Sequence, residues 1–188
     1  EEDRLAHTVE MHLDKEDLSY DEIDIYKSVI RSDARLTYTE CETILDDPAA
    51  AAEFLEEPGM LEEVDLGGKN RLVWGLAEEM HEQRKADGSL VLNPRRDRAH
   101  TIIEECMLKA NKAVTHKLMW TRRVEAMYRV HPQPSPDEWS EALREIQELD
   151  GVSIPGGKWS EPRKAVNATL EEAPERQLDQ IQWAVMKV

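Results

Sequence analysis

Apolar positions recur with two different periods along the chain. Residues 4–13 alternate: Leu5, Val9, Met11 and Leu13 fall on one face, with Thr8, Glu10 and His12 opposite. Residues 22–31 repeat the pattern with Ile23, Ile25 and Val29. A period of two is that of a half-buried strand, and the polar link 14–21 makes the two strands antiparallel neighbours. From residue 37 the period becomes helical. Thr37-Tyr38-Thr39-Glu40 is a capping box, and the helix it opens carries Cys41, Ile44 and Leu45 before Pro48 stops it. An alanine-rich stretch, 49–57, reads as a short helix ended by Pro58-Gly59.

A longer helix follows over 68–86, with Leu72, Val73, Leu76, Ala77 and Met80 inward. Asp87-Gly88 is a turn, and 89–93 a brief strand. The strongest amphipathic signal is 98–118, where Ala99, Ile102, Ile103, Cys106, Met107, Ala110, Val114 and Leu118 form a wide apolar stripe. Residues 124–130 read as a strand. Ser135-Pro136-Asp137-Glu138 opens another helix, with Trp139, Ala142, Leu143, Ile146 and Leu149 toward the core and Gly151 closing it. Two shorter helices, 160–171 and 175–187, complete the chain. The fold class predicted is α+β: mixed, helix-rich, with one antiparallel strand pair packed by helices.

Composition changes this picture in one respect. The 188 residues suffice for a single domain, but 40 acidic against 24 basic residues leave a net charge of −16. Nucleic-acid binders ordinarily carry a basic footprint. An RNA role is compatible with this surplus if binding is confined to a local basic patch or metal-lined channel. It is also compatible if the acid is a salt-adapted surface whose field is screened at high ionic strength. The basic concentration is Arg95, Arg96, Arg98, Lys109, Lys112, Lys117, Arg122 and Arg123. Lys109 and Lys112 lie near one helical face, as an RNA-facing surface or an ordinary solvated one. Cys41 and Cys106 sit on apolar faces without CxxC spacing and read as reduced core thiols, so a cytoplasmic location is expected. The tryptophans (74, 120, 139, 159 and 183) fall mostly at core spacings. No apolar run spans a membrane, and Glu-Glu-Asp-Arg is not the start of a signal peptide. The missing initiator Met and the uncapped end at Val188 lead us to expect a piece of a longer polypeptide.

Four blocks, in order, carry a resemblance. They are Tyr26–Thr39 (YKSVIRSDARLTYT), Arg98–Asn111 (RAHTIIEECMLKAN), Met127–Pro134 (MYRVHPQP) and Leu149–Gly157 (LDGVSIPGG) with its sequel EPR. Together they resemble the RNB domain, the catalytic domain of the RNase II/RNase R family, on its RNase R-like branch. The resemblance spans nearly the whole chain but only the middle of that domain. It implies a 3′→5′ exoribonuclease that degrades single-stranded RNA to 5′ nucleotides by Mg²⁺-dependent hydrolysis. It also implies what lies elsewhere: the Asp-rich motif that supplies the Mg²⁺ ligands precedes Glu1, and the Arg-bearing motif at the reacting phosphate follows Val188. No catalytic residue and no metal ligand is therefore expected within 1–188. Asp46-Asp47 reads as a solvated helix end. Pro94–Asp97 replaces a longer hairpin of the family, either lost or absent from the recorded chain.

The resemblance implies that Tyr38 stacks on RNA bases near the 3′ end; the bland reading is that it packs in the first turn of its helix. Arg129 and His131, on one side of the 124–130 segment, are candidates for phosphate or sugar contact, or else a surface Arg and a satisfied core His. Glu104 and Glu105 are read as supports that orient neighbours. His81 and Glu78 read as a surface helix pair, and no histidine shows metal-ligand spacing. The alternative to an enzyme is a non-catalytic RNB-like module that binds RNA or a protein.

Overall fold

The computed structural model describes residues 3–14, 16–54, 65–92, 97–122, 125, 127, 130, 132–155 and 161–188. It is α+β and helix-rich, and the chain divides into two compact units.

The first unit comprises residues 1–81 and 97–127. Strand β1 (Arg4–Leu13) pairs antiparallel with β2 (Tyr20–Ile30), in a register running from Arg4↔Ile30 to His12↔Glu22, with a bulge before Leu13↔Tyr20. The Asp14 carboxylate accepts the Glu16 and Asp17 backbone N–H groups in the connecting loop. Leu18 takes a left-handed φ of 55° there, strained for a branched side chain, while that side chain is buried. The apolar hairpin face is covered at the loop end, where Ile23 is buried and Met11 half-buried. At its other end it is open, and Leu5 is 90% exposed opposite Val29. The period-two pattern found the strands but not how much of their face is covered.

Helix α1 (Tyr38–Asp46) starts with the expected reciprocal capping box between Thr37 and Glu40, and a 3₁₀ turn (Pro48–Phe54) follows it. Helix α2 (Leu66–Ala86) ends in a Schellman pattern. Gly88, at φ 82°, donates to Lys85 O, and Ser89 N–H reaches Arg84 O. Leu72, expected inside, is exposed. Helix α3 (Arg98–His116) continues as a π-helical stretch, Lys117–Arg122. Leu45, Ala77 and Ile102 form the small core shared by α1, α2 and α3.

The expected face of α3 needs correction. Ile103, Cys106 and Met107 are exposed, and the buried positions are Ala99, Thr101, Ile102, Glu105 and Ala113. The inward stripe is rotated toward Glu105, which can enter because His81 of α2 hydrogen-bonds it at 2.9 Å. A satisfied carboxylate occupies the place that an apolar count gives to Cys106 and Met107.

The second unit comprises residues 82–96 and 128–188. Helices α4 (Pro136–Gln147), α5 (Pro162–Glu172) and α6 (Glu175–Met186) enclose the larger core, built from Trp139, Leu143, Ile146, Val166, Leu170 and Ile181. Gly151, at φ 75°, sits in the turn beyond the α4 end rather than at its cap. The strand expected over 89–93 does not form in its described part, 89–92. Asn167 of α5 takes the place of a strand partner: its side chain accepts from Val91 N–H and donates to Ser89 O. Trp139 is core, whereas Trp183 is 63% exposed on α6. In the stretch read as a strand over 124–130, the described residues 125, 127 and 130 are not in a strand.

Candidate nucleic-acid interface

Tyr38 is the first residue of α1, so its position is set by the Thr37 cap. Its ring stacks on His100 with centroids 3.6 Å apart and planes 17° from parallel. With one face covered in this way, Tyr38 is still 46% exposed. Neither expectation for Tyr38 anticipated this: it packs on a neighbour and keeps an accessible ring at once.

His100 is held in turn. Its Nδ1–H donates to Asp97 Oδ1 at 2.6 Å, and the same oxygen accepts the His100 backbone N–H at 2.8 Å. Asp97 is the N-cap of α3, so the residue that starts the helix also orients the imidazole. The start of α3 is fastened to the middle and the end of α1. Glu42 accepts from Arg98 Nε at 2.8 Å and from the Ala99 backbone N–H at 2.6 Å, and Arg98 Nη2 reaches Asp46 at 2.5 Å. Asp46, and then Glu42, hold the Arg98 guanidinium above its ordinary pKa. Asp46 is thus an ion-pair partner rather than a merely solvated helix end, and Arg98 is committed to the protein.

The two lysine candidates have different surroundings. Lys109 is half-buried; its ammonium donates to the Leu18 carbonyl and lies 4.6 Å from the centre of the Tyr20 ring. Burial, and then Lys112, push its pKa down. Lys117 similarly donates to the Ile23 carbonyl. Lys112 is exposed. Arg129 and His131 lie outside the described residues, as do Arg95, Arg96, Arg123 and Trp159. Glu105 is 3% exposed and engaged with His81, so His81 is an interior partner and not half of a surface pair with Glu78. Among the described residues no group of three or more His, Cys, Asp or Glu could hold a metal ion, and no helix is long and apolar enough to cross a membrane.

His100 was missed as a candidate. The Asp97-Arg98-Ala99-His100 spacing shows an N-cap reaching its third residue, but the contact with Tyr38, 62 positions away, is visible only in three dimensions.

Residues 1–188, the whole chain, match the RNB domain family. The chain belongs to that family. It is 37% identical over 164 residues to Ribonuclease R of Aquifex aeolicus, covering 81% of this chain and 23% of that protein. It is 31% identical over 151 residues to Ribonuclease R of Escherichia coli, covering 73% and 18%. With Ribonuclease R of Thermotoga maritima it shares 28% over 158 residues, covering 72% and 20%. This RNB segment therefore spans about a fifth of the length of the curated relatives it matches.

Proposed function

We propose that the polypeptide carrying this RNB segment is a 3′→5′ exoribonuclease that shortens single-stranded RNA to 5′ nucleotides with Mg²⁺ in the cytoplasm. The observation that carries the reading is the family match over all 188 residues, with relatives named Ribonuclease R. Tyr38 fits a sequence-independent base platform. Stacking on an aromatic face contributes roughly 1–3 kcal/mol per base and accepts any base, which suits a nuclease that moves along its substrate. In this reading Lys112, an exposed cation on α3, meets phosphates, and Lys109, one turn earlier on the same helix, lies next to it with its ammonium bonded to the Leu18 carbonyl. Arg129 and His131 remain proposed contacts to phosphate or sugar. Mg²⁺ requires hard oxygen ligands. In this proposal its carboxylates come from sequence outside the segment, as the family resemblance implies.

A second reading is favoured by the net charge of −16, namely a non-catalytic RNB module that retains RNA or a protein partner. The intact mass and terminal sequences of the natural protein separate the two. A mass well above 21.6 kDa, with an Asp-rich segment ahead of Glu1, supports the nuclease. A natural protein of 21.6 kDa overturns it in favour of the module.

A further inference from the structure

Tyr38 and His100 come from the first turns of two different helices, yet their rings lie nearly parallel at 3.6 Å. Aromatic pairs without other restraint are also found tilted or edge-on, so a near-parallel pair points to something that fixes both planes. Here both are fixed. The Tyr38 backbone is set by the Thr37–Glu40 capping box. The imidazole is held by Asp97, whose one carboxylate oxygen takes both the ring and the backbone N–H of His100. The Arg98–Glu42–Asp46 cluster ties the helix carrying one ring to the helix carrying the other.

We infer that His100, oriented by Asp97, is a positioning residue for RNA. It backs the Tyr38 ring so that an incoming base meets a platform already in its binding orientation. The inference rests on the reading of Tyr38 as a base platform and goes beyond it by assigning His100 and Asp97 to the same site. The physical gain is preorganisation. A tyrosine held by a second ring does not lose its rotamer freedom when the base arrives. The bound state is a stack of three rings, base on Tyr38 on His100. His100 makes no contact with the RNA.

The test measures equilibrium binding of a short fluorescein-labelled oligouridylate to the complete gene product, without added Mg²⁺, for His100→Ala, His100→Phe, Tyr38→Ala and the double variant. His100→Ala is expected to weaken binding about 2- to 10-fold, the range of an aromatic pair interaction. His100→Phe, which restores a flat ring, is expected to recover most of that loss. In the Tyr38→Ala background, His100→Ala is expected to add nothing, because a support without its platform has no function. In turnover experiments the His100→Ala loss should appear in KM and leave kcat near its original value. Full binding by His100→Ala, beside a weakened Tyr38→Ala, overturns the inference and leaves the platform reading standing. An undiminished His100→Ala loss in the Tyr38→Ala background also overturns it. If Tyr38→Ala itself binds normally, the platform reading fails and the inference falls with it. His100→Phe keeps the inference testable if the alanine variant does not fold.

Discussion

Tyr38 packs on a neighbouring ring and is also the side chain proposed here to stack on RNA bases. Its contact with His100 covers one ring face and leaves 46% of the residue open. Tyr38→Ala should weaken single-stranded RNA binding by roughly 1–3 kcal/mol, whereas Tyr38→Phe keeps the ring and should stay near the original affinity. Fluorescence anisotropy with homopolymeric RNAs checks this, and a loss confined to one base would contradict sequence-independent stacking. The lysines should part company in the same experiments. Lys112→Ala is expected to lower RNA affinity and reduce the salt slope by about one. Lys109→Ala is expected to register first in urea melts, at about 1–3 kcal/mol, because it deprives the Leu18 carbonyl of a charged donor. Of these features, the sequence revealed Tyr38 and the basic residues but not their partners. A capping box is a local pattern, whereas the Tyr38–His100 and Lys109–Leu18 contacts join positions 62 and 91 residues apart.

At the scale of elements, caps and periods were legible where local physics decides. The boxes at Thr37–Glu40 and Ser135–Glu138 start α1 and α4 as expected. Both glutamates are held below the ordinary carboxylate range, chiefly by the Thr37 and Ser135 backbone N–H groups. A depressed folded-state pKa stabilises above the unfolded value, here 4.5, and the contribution is lost as pH falls through the folded value. The stability difference between the original chain and Glu40→Ala/Glu138→Ala should therefore be full above pH 4.5 and shrink on acidification. A pH-independent difference in thermal melts would contradict that origin. Patterns misled where tertiary partners decide. The 89–92 segment looks like a strand because it is apolar and short, but Asn167 supplies its hydrogen bonds from a helix. Asn167→Ala should cost about 1–3 kcal/mol in denaturant unfolding, since it leaves Val91 N–H without its acceptor. The α3 stripe was misjudged because a buried glutamate with a histidine partner does not register as core in an apolar count.

On the scale of the whole molecule, the two units have cores of unequal size. Leu45, Ala77 and Ile102 stand against the larger set around Leu143, Ile146 and Ile181. Ile146 is fully buried, and Ile146→Ala should cost about 2–5 kcal/mol, whereas the same truncation at the exposed Leu72 should cost little. The net charge of −16 argued against RNA on composition alone, yet the chain belongs to the RNB family. Net charge describes the long-range field, while the base stacking proposed for Tyr38 is a contact interaction that such a field does not direct. The measurement that tests the central claim most directly is digestion of 5′-labelled single-stranded RNA by the complete gene product with Mg²⁺, resolved on a sequencing gel. The account predicts a ladder that shortens from the 3′ end, release of 5′ nucleotides, and arrest by EDTA. RNA that is bound yet keeps its full length in Mg²⁺ would contradict it.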